Sequence, residues 1–216
     1  MKNRHLCTAG ISLILPFCHC VLAQNVHHKR PNIILIMSDD MGYSDIGCYG
    51  SEINTPNLDT LADYRLQFIN FYNQARSCPT RASLMTGLYP HQAGIGWMRD
   101  ADHKLPGYSG QMNENCVTIA QVLKLSGYNT YMAGKWHLQC NENTKPENPN
   151  YDWPLQRGFD KFYRMFVDAG SYYDPATLCR DNTLITPFTE PCHNPETFYF
   201  ADAITDNAIS FVRDVS

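Results

Sequence analysis

No cluster of Lys or Arg occurs anywhere in the sequence, and this absence bears on the partners that the protein can bind. The 216 residues include 17 Lys and Arg against 21 Asp and Glu, for a formal net charge of -4. A nucleic-acid-binding domain ordinarily needs a concentrated basic surface to meet the phosphate backbone, so nucleic acid is not an expected partner. With 44% hydrophobic and 12% aromatic residues, the chain has enough apolar side chains for a packed core.

The nine cysteines lack the Cys-x-x-Cys spacing of a typical zinc site. A zinc centre built on them is therefore not predicted. The six cysteines that follow residue 23 allow fifteen disulfide pairings, and a bridge between Cys179 and Cys192, which would close a short loop, is one hypothesis among these.

The N-terminus has the pattern of a secretory signal peptide. Lys2 and Arg4 precede an apolar run over residues 6–22, and Ala23 follows as a small residue suited to cleavage. The run is interrupted by polar and helix-breaking residues and barely reaches the roughly 20 apolar residues of a spanning helix, so an uncleaved anchor is the less favoured alternative. We predict a signal peptide over 1–23, a mature domain over 24–216, no stable membrane anchor, and export to the periplasm or the extracellular space.

Apolar runs and helical periodicities alternate along the rest of the chain. A continuous apolar run over residues 32–37 is typical of a buried parallel strand, and Thr55-Pro56 has the chemistry of a helix start. The alternation predicts an α/β fold with helices on both faces of a sheet. Predicted strands lie at 32–37, 68–72 and 129–133, predicted helices begin at 56 and run over 79–86, 118–126 and 200–215, and predicted surface loops cover 141–154 and 174–196. Because no strand follows the last helix, we expect an incomplete sheet.

Polar side chains follow the predicted strands, at the edge where open α/β sheets bind ligands. Asp39 and Asp40 offer adjacent carboxylates, which suit Ca²⁺ or Mg²⁺, although a turn or a helix cap is an equal alternative. Ser77 stands at the mouth of a helix, where free backbone N–H groups favour an anion, and Arg81 lies one turn later. An ordinary N-cap with a solvated Arg81 is the alternative here.

Lys135 and His137 follow the third predicted strand and alternate along it, so both can point to one side. One supplies a fixed positive charge and the other a proton carrier, unless the pair is merely a polar strand end. Together the three clusters describe a metal, an anion cradle with a potential nucleophile and an acid–base group. Attack on a sulfate or phosphate ester is the chemistry that uses all of them.

The same residues resemble the signature of the type I sulfatases in the alkaline phosphatase superfamily, and the likeness runs from residue 31 to the end of the chain. The family motif is Cys or Ser, any residue, Pro, a small residue and Arg, followed by Thr-Gly, and here it reads Ser77-Cys78-Pro79-Thr80-Arg81 with Thr86-Gly87. Counting from Ser77 places Pro and Arg in register, whereas counting from Cys78 leaves both one place short. The resemblance therefore assigns the modified position to Ser77, although most members carry Cys there.

The resemblance implies an alkaline-phosphatase-like sandwich with a mostly parallel sheet flanked by helices. It implies that Ser77 is converted to formylglycine by a maturase and that Ca²⁺ is held by Asp39, Asp40 and the modified Ser77. By the same resemblance, Arg81 steadies the formylglycine hydrate, Lys135 touches the sulfate and His137 contacts the hydrate and assists elimination. The implied substrate is a sulfated carbohydrate or an aryl sulfate.

Complete members of the family are longer, and further ligands and a leaving-group acid lie in the part without a counterpart here, so we expect this chain alone to be inactive. Two alternatives stay open: a phosphatase or phosphonate hydrolase with unmodified Ser77, and a truncated, non-catalytic glycan-binding module. Loop residues that could contact a sugar, each more simply explained as structural or surface side chains, are His91, Trp97, Asp102, His103, Tyr172, Tyr173 and Asp174.

Overall fold

A computed structural model describes residues 30–99, 103–139, 152–166, 170–190 and 195–214. The chain divides into two compact units, residues 1–38 and residues 39–216. In the first unit, the described residues 30–38 have no regular secondary structure, and Ile33, Ile34, Leu35 and Ile36 are all more than half exposed.

The second unit contains four helices and a four-stranded sheet among its described residues. The helices are α1 (Pro56–Tyr64), α2 (Ser77–Thr86), α3 (Ile119–Leu125) and α4 (Phe200–Arg213), and the strands are β1 (Tyr131–Ala133), β2 (Lys161–Met165), β3 (Leu178–Arg180) and β4 (Thr183–Leu184). Short 3₁₀ turns lie at Gly47–Tyr49, Leu155–Arg157 and Pro195–Thr197. No helix in the described ranges is long and apolar enough to cross a membrane.

The helix predictions are confirmed, with small shifts at the ends. Helix α1 begins at Pro56 as expected, and α2 ends before Gly87, whose φ of 69° gives the left-handed conformation typical of a helix C-terminus. Helix α2 begins two residues earlier than predicted, at Ser77. Thr118 is the N-cap of α3, where its hydroxyl accepts from the backbone N–H of Gln121 in a reciprocal capping box. The last residue predicted for α4, Val215, lies outside the described residues.

Two of the three predicted strands are wrong. Residues 32–37 and 68–72 form no strand, and in the second segment Phe68, Ile69, Phe71 and Tyr72 are 55 to 87% exposed. A strand persists only where a neighbouring backbone takes its hydrogen bonds, and within the described ranges no segment pairs with either run. The third predicted strand is confirmed in its last three residues, as β1.

The sheet is mixed, with the order β1-β2-β3-β4. Strands β1 and β2 are parallel, with Tyr131 opposite Lys161, whereas β2–β3 and β3–β4 are antiparallel. The α/β class is therefore confirmed, but the described sheet is not mostly parallel. The predicted loop 174–196 contains the hairpin β3–β4, since Asp181 adopts a positive φ of 54° and lets the chain reverse in two residues. Of the predicted loop 141–154, only residues 152–154 are described.

Apolar side chains cover both faces of the sheet. Tyr163 and Met165 of β2 face α4, where they pack with Phe200, Ala203 and Phe211. Phe162 lies on the opposite face and packs with Trp153 and Phe166. A separate cluster joins α2 and α3 to the segment after β1, through Cys78, Ala82, Ala120, Trp136 and Leu138. This last cluster fixes the start of α2 beside the end of β1.

Candidate active site

Helix α2 begins at Ser77, so the hydroxyl stands in the first turn, where backbone N–H groups have no intrahelical partner. The neighbouring Cys78 is fully buried in the core, whereas Ser77 is half-buried and turned toward the polar side chains of the site. Arg81 follows one turn later and is 8% exposed. Ser77, and not Cys78, is thus the residue that the fold presents to the other candidate side chains.

The second component of the site is the segment that leaves β1. The N–H of Gly134 donates to the carbonyl of Tyr163 at 2.9 Å, Trp136 is buried, and His137 adopts a positive φ of 58°. The extended alternation predicted for Lys135 and His137 therefore breaks at His137. Both side chains nevertheless reach the same site, since Lys135 contacts Asp39 and His137 contacts Ser77.

Arg81 joins the parts of the site. Its Nε donates to the hydroxyl oxygen of Ser77 at 3.2 Å, and one terminal nitrogen donates to the backbone carbonyl of Lys135 at 2.6 Å. The other terminal nitrogen lies 3.5 Å from the Oδ1 of Asp39. A planar guanidinium can serve these partners at once, which an ammonium group cannot do.

The hydroxyl oxygen of Ser77 lies 3.0 Å from the Nδ1 of His137. Burial, the positive charges of Lys135 and Arg99 and then that of Arg81 lower the pKa of His137 to about 3. The imidazole is therefore neutral at neutral pH, and when its Nε2 carries the hydrogen, Nδ1 accepts from the hydroxyl. Because Arg81 donates to the same oxygen, the hydroxyl is held from both sides.

Asp39 is the acidic centre of this arrangement. Its Oδ2 accepts from the Nζ of Lys135 at 2.5 Å, and the carboxylate is about one third exposed. Burial alone would raise the pKa of Asp39, but the hydrogen bond and charge of Lys135, with the charge of Arg81, bring it below its ordinary value. The carboxylate is therefore ionised at neutral pH.

The donor chemistry fits a hard divalent cation in part. Asp39, Asp40 and Ser77 carry oxygen donors of the kind that Ca²⁺ prefers, but Ca²⁺ takes six to eight oxygens. Within the described ranges no cluster of three or more His, Cys, Asp or Glu side chains is arranged to hold a metal ion. Asp40 is exposed with a φ of 56° and makes no hydrogen bond or ion pair to another described residue. The described residues thus offer an incomplete set of ligands.

The structure adds Arg99 to the site, a residue that no motif singled out. It is 7% exposed, and its positive charge is among the causes that lower the pKa of His137. It follows a segment in which Arg76 lies over the ring of Trp97 at 4.2 Å. A buried arginine beside a polar segment leaves no periodic or spacing signal, so the sequence alone does not reveal it.

Four of the suggested sugar-contacting residues, His91, His103, Tyr172 and Tyr173, lie in two other groups, and Asp174 is exposed. His91 bonds the hydroxyl of Tyr108 at 3.0 Å, and His103 meets the same ring edge-on. Tyr172 and Tyr173 are exposed and lie against Tyr199. Asp102 is outside the described residues. None of these side chains has a hydrogen bond to Ser77, Arg81, Lys135 or His137 in the described part of the chain.

Known proteins resemble this chain in sequence and in fold. The Sulfatase family profile matches residues 31–215. An arylsulfatase of Klebsiella aerogenes is 33% identical over 98% of this chain and 44% of its own length, and an N-acetylgalactosamine-6-O-sulfatase of Bacteroides thetaiotaomicron is 42% identical over 66% and 30%. A protein solved in complex with its substrate, D-glucosamine-2-N,6-O-disulfate, aligns with a TM-score of 0.65 and 33% identity over 86% of this chain and 31% of that one.

The chain therefore spans less than half the length of these relatives. The family profile nevertheless matches nearly all of the chain after residue 30, and the solved structure has a similar fold over most of this chain. The resemblance read from Ser77, Arg81 and their flanking residues is confirmed at the level of the family. This chain belongs to the sulfatase family.

Proposed function

We propose that the protein is a sulfuric ester hydrolase whose nucleophile is formed at position 77, from Ser77 converted to formylglycine, with Ca²⁺ as its metal. The observation that carries the proposal is the position of the Ser77 hydroxyl, held between the guanidinium of Arg81 and the imidazole of His137. Lys135 and Asp39 stand beside them. An anionic ester placed there meets two cationic side chains and a proton acceptor.

A formylglycine hydrate at position 77 would supply two hydroxyls on one carbon. One would attack sulfur and expel the alcohol of the ester, which leaves the sulfate bonded to residue 77, and the other would then lose its proton as the aldehyde reforms and sulfate leaves. Arg81 would hold the oxygen at this position through its Nε, with its orientation fixed by the carbonyl of Lys135. His137, neutral at neutral pH, would accept the proton through Nδ1 in the elimination step.

Lys135 would have a different task. Its Nζ donates to Asp39 at 2.5 Å, so its charge is already directed to an oxygen anion at this edge of the site. In the proposed reaction Lys135 would contact sulfate oxygens, and Asp39 and Asp40 would hold Ca²⁺ together with the group at position 77. A bound Ca²⁺ would neutralise negative charge on the sulfate and on residue 77.

For the substrate, we propose a sulfated carbohydrate, with aryl sulfates as simpler alternatives. Two of the similar proteins act on or bind sulfated amino sugars, by their names. The signal-peptide pattern of residues 1–23 supports export to the periplasm or the extracellular space, and residue 77 would be modified by a formylglycine-generating maturase before export. All of residues 1–23 lie outside the described residues.

The test is the mass of the tryptic peptide from Ser77 to Arg81, taken from the longest form of the protein that its own host makes, together with turnover of an aryl sulfate and an aryl phosphate. Loss of two hydrogens at Ser77 with sulfate release is the expected result. Phosphate release by a protein with unmodified Ser77 would instead establish the phosphatase alternative. Binding of sulfated sugars without turnover by any form would establish the glycan-binding module.

The proposal also predicts that residues 24–216 alone release little or no sulfate, even with Ser77 converted, because the described ligand set for the metal is incomplete. Turnover by this isolated stretch, at a rate comparable with that of the longest form, would contradict this expectation.

A further inference from the structure

The segment 134–139 carries two of the side chains assigned to the reaction, and it has no strand or helix of its own after β1. It is fastened at its start by the hydrogen bond from Gly134 to Tyr163 and in its middle by Arg81, which donates to the carbonyl of Lys135. Trp136 is buried, and its indole N–H donates to the carbonyl of Asp152 at 2.8 Å. The position of His137 therefore depends on anchors outside its own element.

His137 itself has an unfavourable backbone conformation. Its φ of 58° lies in the left-handed region, which a residue with a Cβ adopts only at an energetic cost. Such a conformation persists when the surroundings over-determine it, and it is most often found at functional sites. An anchor is needed on the C-terminal side of His137 as well as on the N-terminal side.

Gln139 provides that anchor. Its side chain is completely buried, its Oε1 accepts from a terminal nitrogen of Arg164 at 2.9 Å, and its Nε2 donates to the carbonyl of Phe166 at 2.9 Å. Arg164 is equally buried and donates to the carbonyls of Phe166 and Met165 at 2.8 Å each. The amide thus ties the segment to the end of β2 through a polar network with no solvent contact.

We propose that Gln139 is a positioning residue, which acts through Arg164 and the end of β2 to hold the imidazole of His137 against the oxygen of residue 77. The inference rests on the proposed function, since it assigns Gln139 a part in the same reaction. Gln139 lies two positions after His137, and its hydrogen bonds hold the end of the segment 134–139 against the end of β2. A displacement of the imidazole by about 1 Å can lower a catalysed rate by around a hundredfold.

The same chain offers a matched control on the other side of the sheet. Asn207 is 5% exposed, and its Oδ1 accepts from a terminal nitrogen of Arg180 at 2.7 Å. It is therefore also a buried amide bonded to an arginine on the sheet, but it lies on α4 and not on the segment of His137. Loss of this amide would lower stability without moving the imidazole.

The experiment compares Gln139→Met with Asn207→Leu in the longest form of the protein from its own host, with kcat and KM measured on an aryl sulfate. For Gln139→Met the expected result is a fall in kcat of at least about tenfold with KM within about twofold, whereas Asn207→Leu leaves kcat within about twofold. The double variant His137→Ala/Gln139→Met should be no slower than His137→Ala alone, because a residue that acts through His137 has no effect once His137 is gone. Equal kcat losses in the two amide variants, or losses that multiply in the double variant, would overturn the proposal.

Two further arms cover the ways in which this experiment could fail. If Gln139→Met does not fold, Gln139→Glu keeps the acceptor for Arg164 but loses the donor to Phe166, and the same double-variant comparison with His137→Ala applies. If the wild type releases no sulfate, the proposed function fails. Amide hydrogen exchange of residues 134–139 then tests, without any activity measurement, whether Gln139 anchors this segment. Faster exchange there in the Gln139 variant than in Asn207→Leu supports the anchor, and unchanged exchange overturns it.

Discussion

The hydroxyl oxygen of Ser77 lies 3.0 Å from the Nδ1 of His137, although the two residues are 60 positions apart in the chain. Ser77 is placed by the start of α2 and His137 by the segment after β1, and the side chain of Arg81 bonds to both parts. The geometry of the site therefore depends on one guanidinium more than on any local sequence pattern.

Replacing Arg81 by Lys should lower turnover of an aryl sulfate by about a hundredfold or more, which is the usual effect of removing one donor from a preorganised anion site. The positive charge remains, but a single ammonium cannot bond Ser77, the Lys135 carbonyl and Asp39 together. The measurement is kcat/KM of the longest form of the protein, with Arg65→Lys as control because Arg65 is exposed and bonds only the neighbouring Tyr64 carbonyl among described partners. An Arg81→Lys variant as active as the control would refute this role.

The helices and the spacing within the site could be predicted because their signals are local. Pro56 starts α1, Thr118 and Gln121 form the capping box of α3, and Gly87 ends α2. Ser77 and Arg81 are neighbours on one helix face for the same local reason. Lys135 and His137 contact Asp39 and Ser77 respectively, although the chain does not stay extended between them.

The strands could not be predicted in the same way, because a strand depends on a partner that is distant in sequence. The apolar runs 32–37 and 68–72 satisfy every local criterion for strands but pair with nothing in the described ranges. Conversely, β3 and β4 are only three and two residues long, and the one local sequence signal for their hairpin is the turn pair Asp181-Asn182. The places of Gln139 and Arg99 could not be predicted for a related reason, because the burial of a polar side chain follows from tertiary packing and not from local sequence.

A comparison of Gly50 with Gly158 tests how much the close contact between the backbone at Gly158 and helix α3 contributes to stability. Their φ values are 97° and 98°, so replacement by Ala strains the backbone about equally, by about 1 to 2 kcal/mol. A Cβ on Gly50 would meet nothing within 4 Å, whereas a Cβ on Gly158 would lie 2.6 Å from the backbone nitrogen of Gln121. Gly158→Ala should therefore lower the free energy of unfolding by about 1 to 3 kcal/mol more than Gly50→Ala does. Urea unfolding of both variants measures the difference, and equal losses would show that the contact between Gly158 and α3 is easily relieved.

Asp160 gives a pH-dependent test of the link between α3 and the sheet. Its carboxylate accepts from the Nζ of Lys124 at 2.6 Å and from the backbone N–H of Thr130 at 2.8 Å. Burial alone would raise the pKa of Asp160, but these hydrogen bonds and the charge of Lys124 lower it. A lowered carboxyl pKa stabilises the fold above the pKa of the unfolded chain, and this stabilisation is lost as the pH falls through the folded-state value.

Asp160→Asn should accordingly cost about 1 to 2 kcal/mol near neutral pH, and this difference from the wild type should shrink on acidification below the ordinary aspartate range. Unfolding curves at several pH values measure it. Asp63→Asn, which removes one carboxylate from an exposed side chain of α1, is the matched control. A cost for Asp160→Asn that is the same at every pH would mean that the charge of Asp160 contributes nothing.

The cysteines give a test that is independent of activity. Among those described, Cys48 is partly exposed, whereas Cys78, Cys116 and Cys179 are buried. Burial raises the pKa of Cys179 to about 12 and also raises that of Cys116, so little of either thiol is in the reactive thiolate form. The thiol of Cys179 also donates to the carbonyl of Asp181 at 2.9 Å. Iodoacetamide should therefore modify Cys48 in the native protein well before Cys78, Cys116 and Cys179. After unfolding in urea with reductant, all four cysteines should react.

The same labelling tests the disulfide hypothesis. If Cys179 stays unmodified in urea without reductant but reacts once reductant is added, it forms a disulfide, for which Cys192 is the candidate partner.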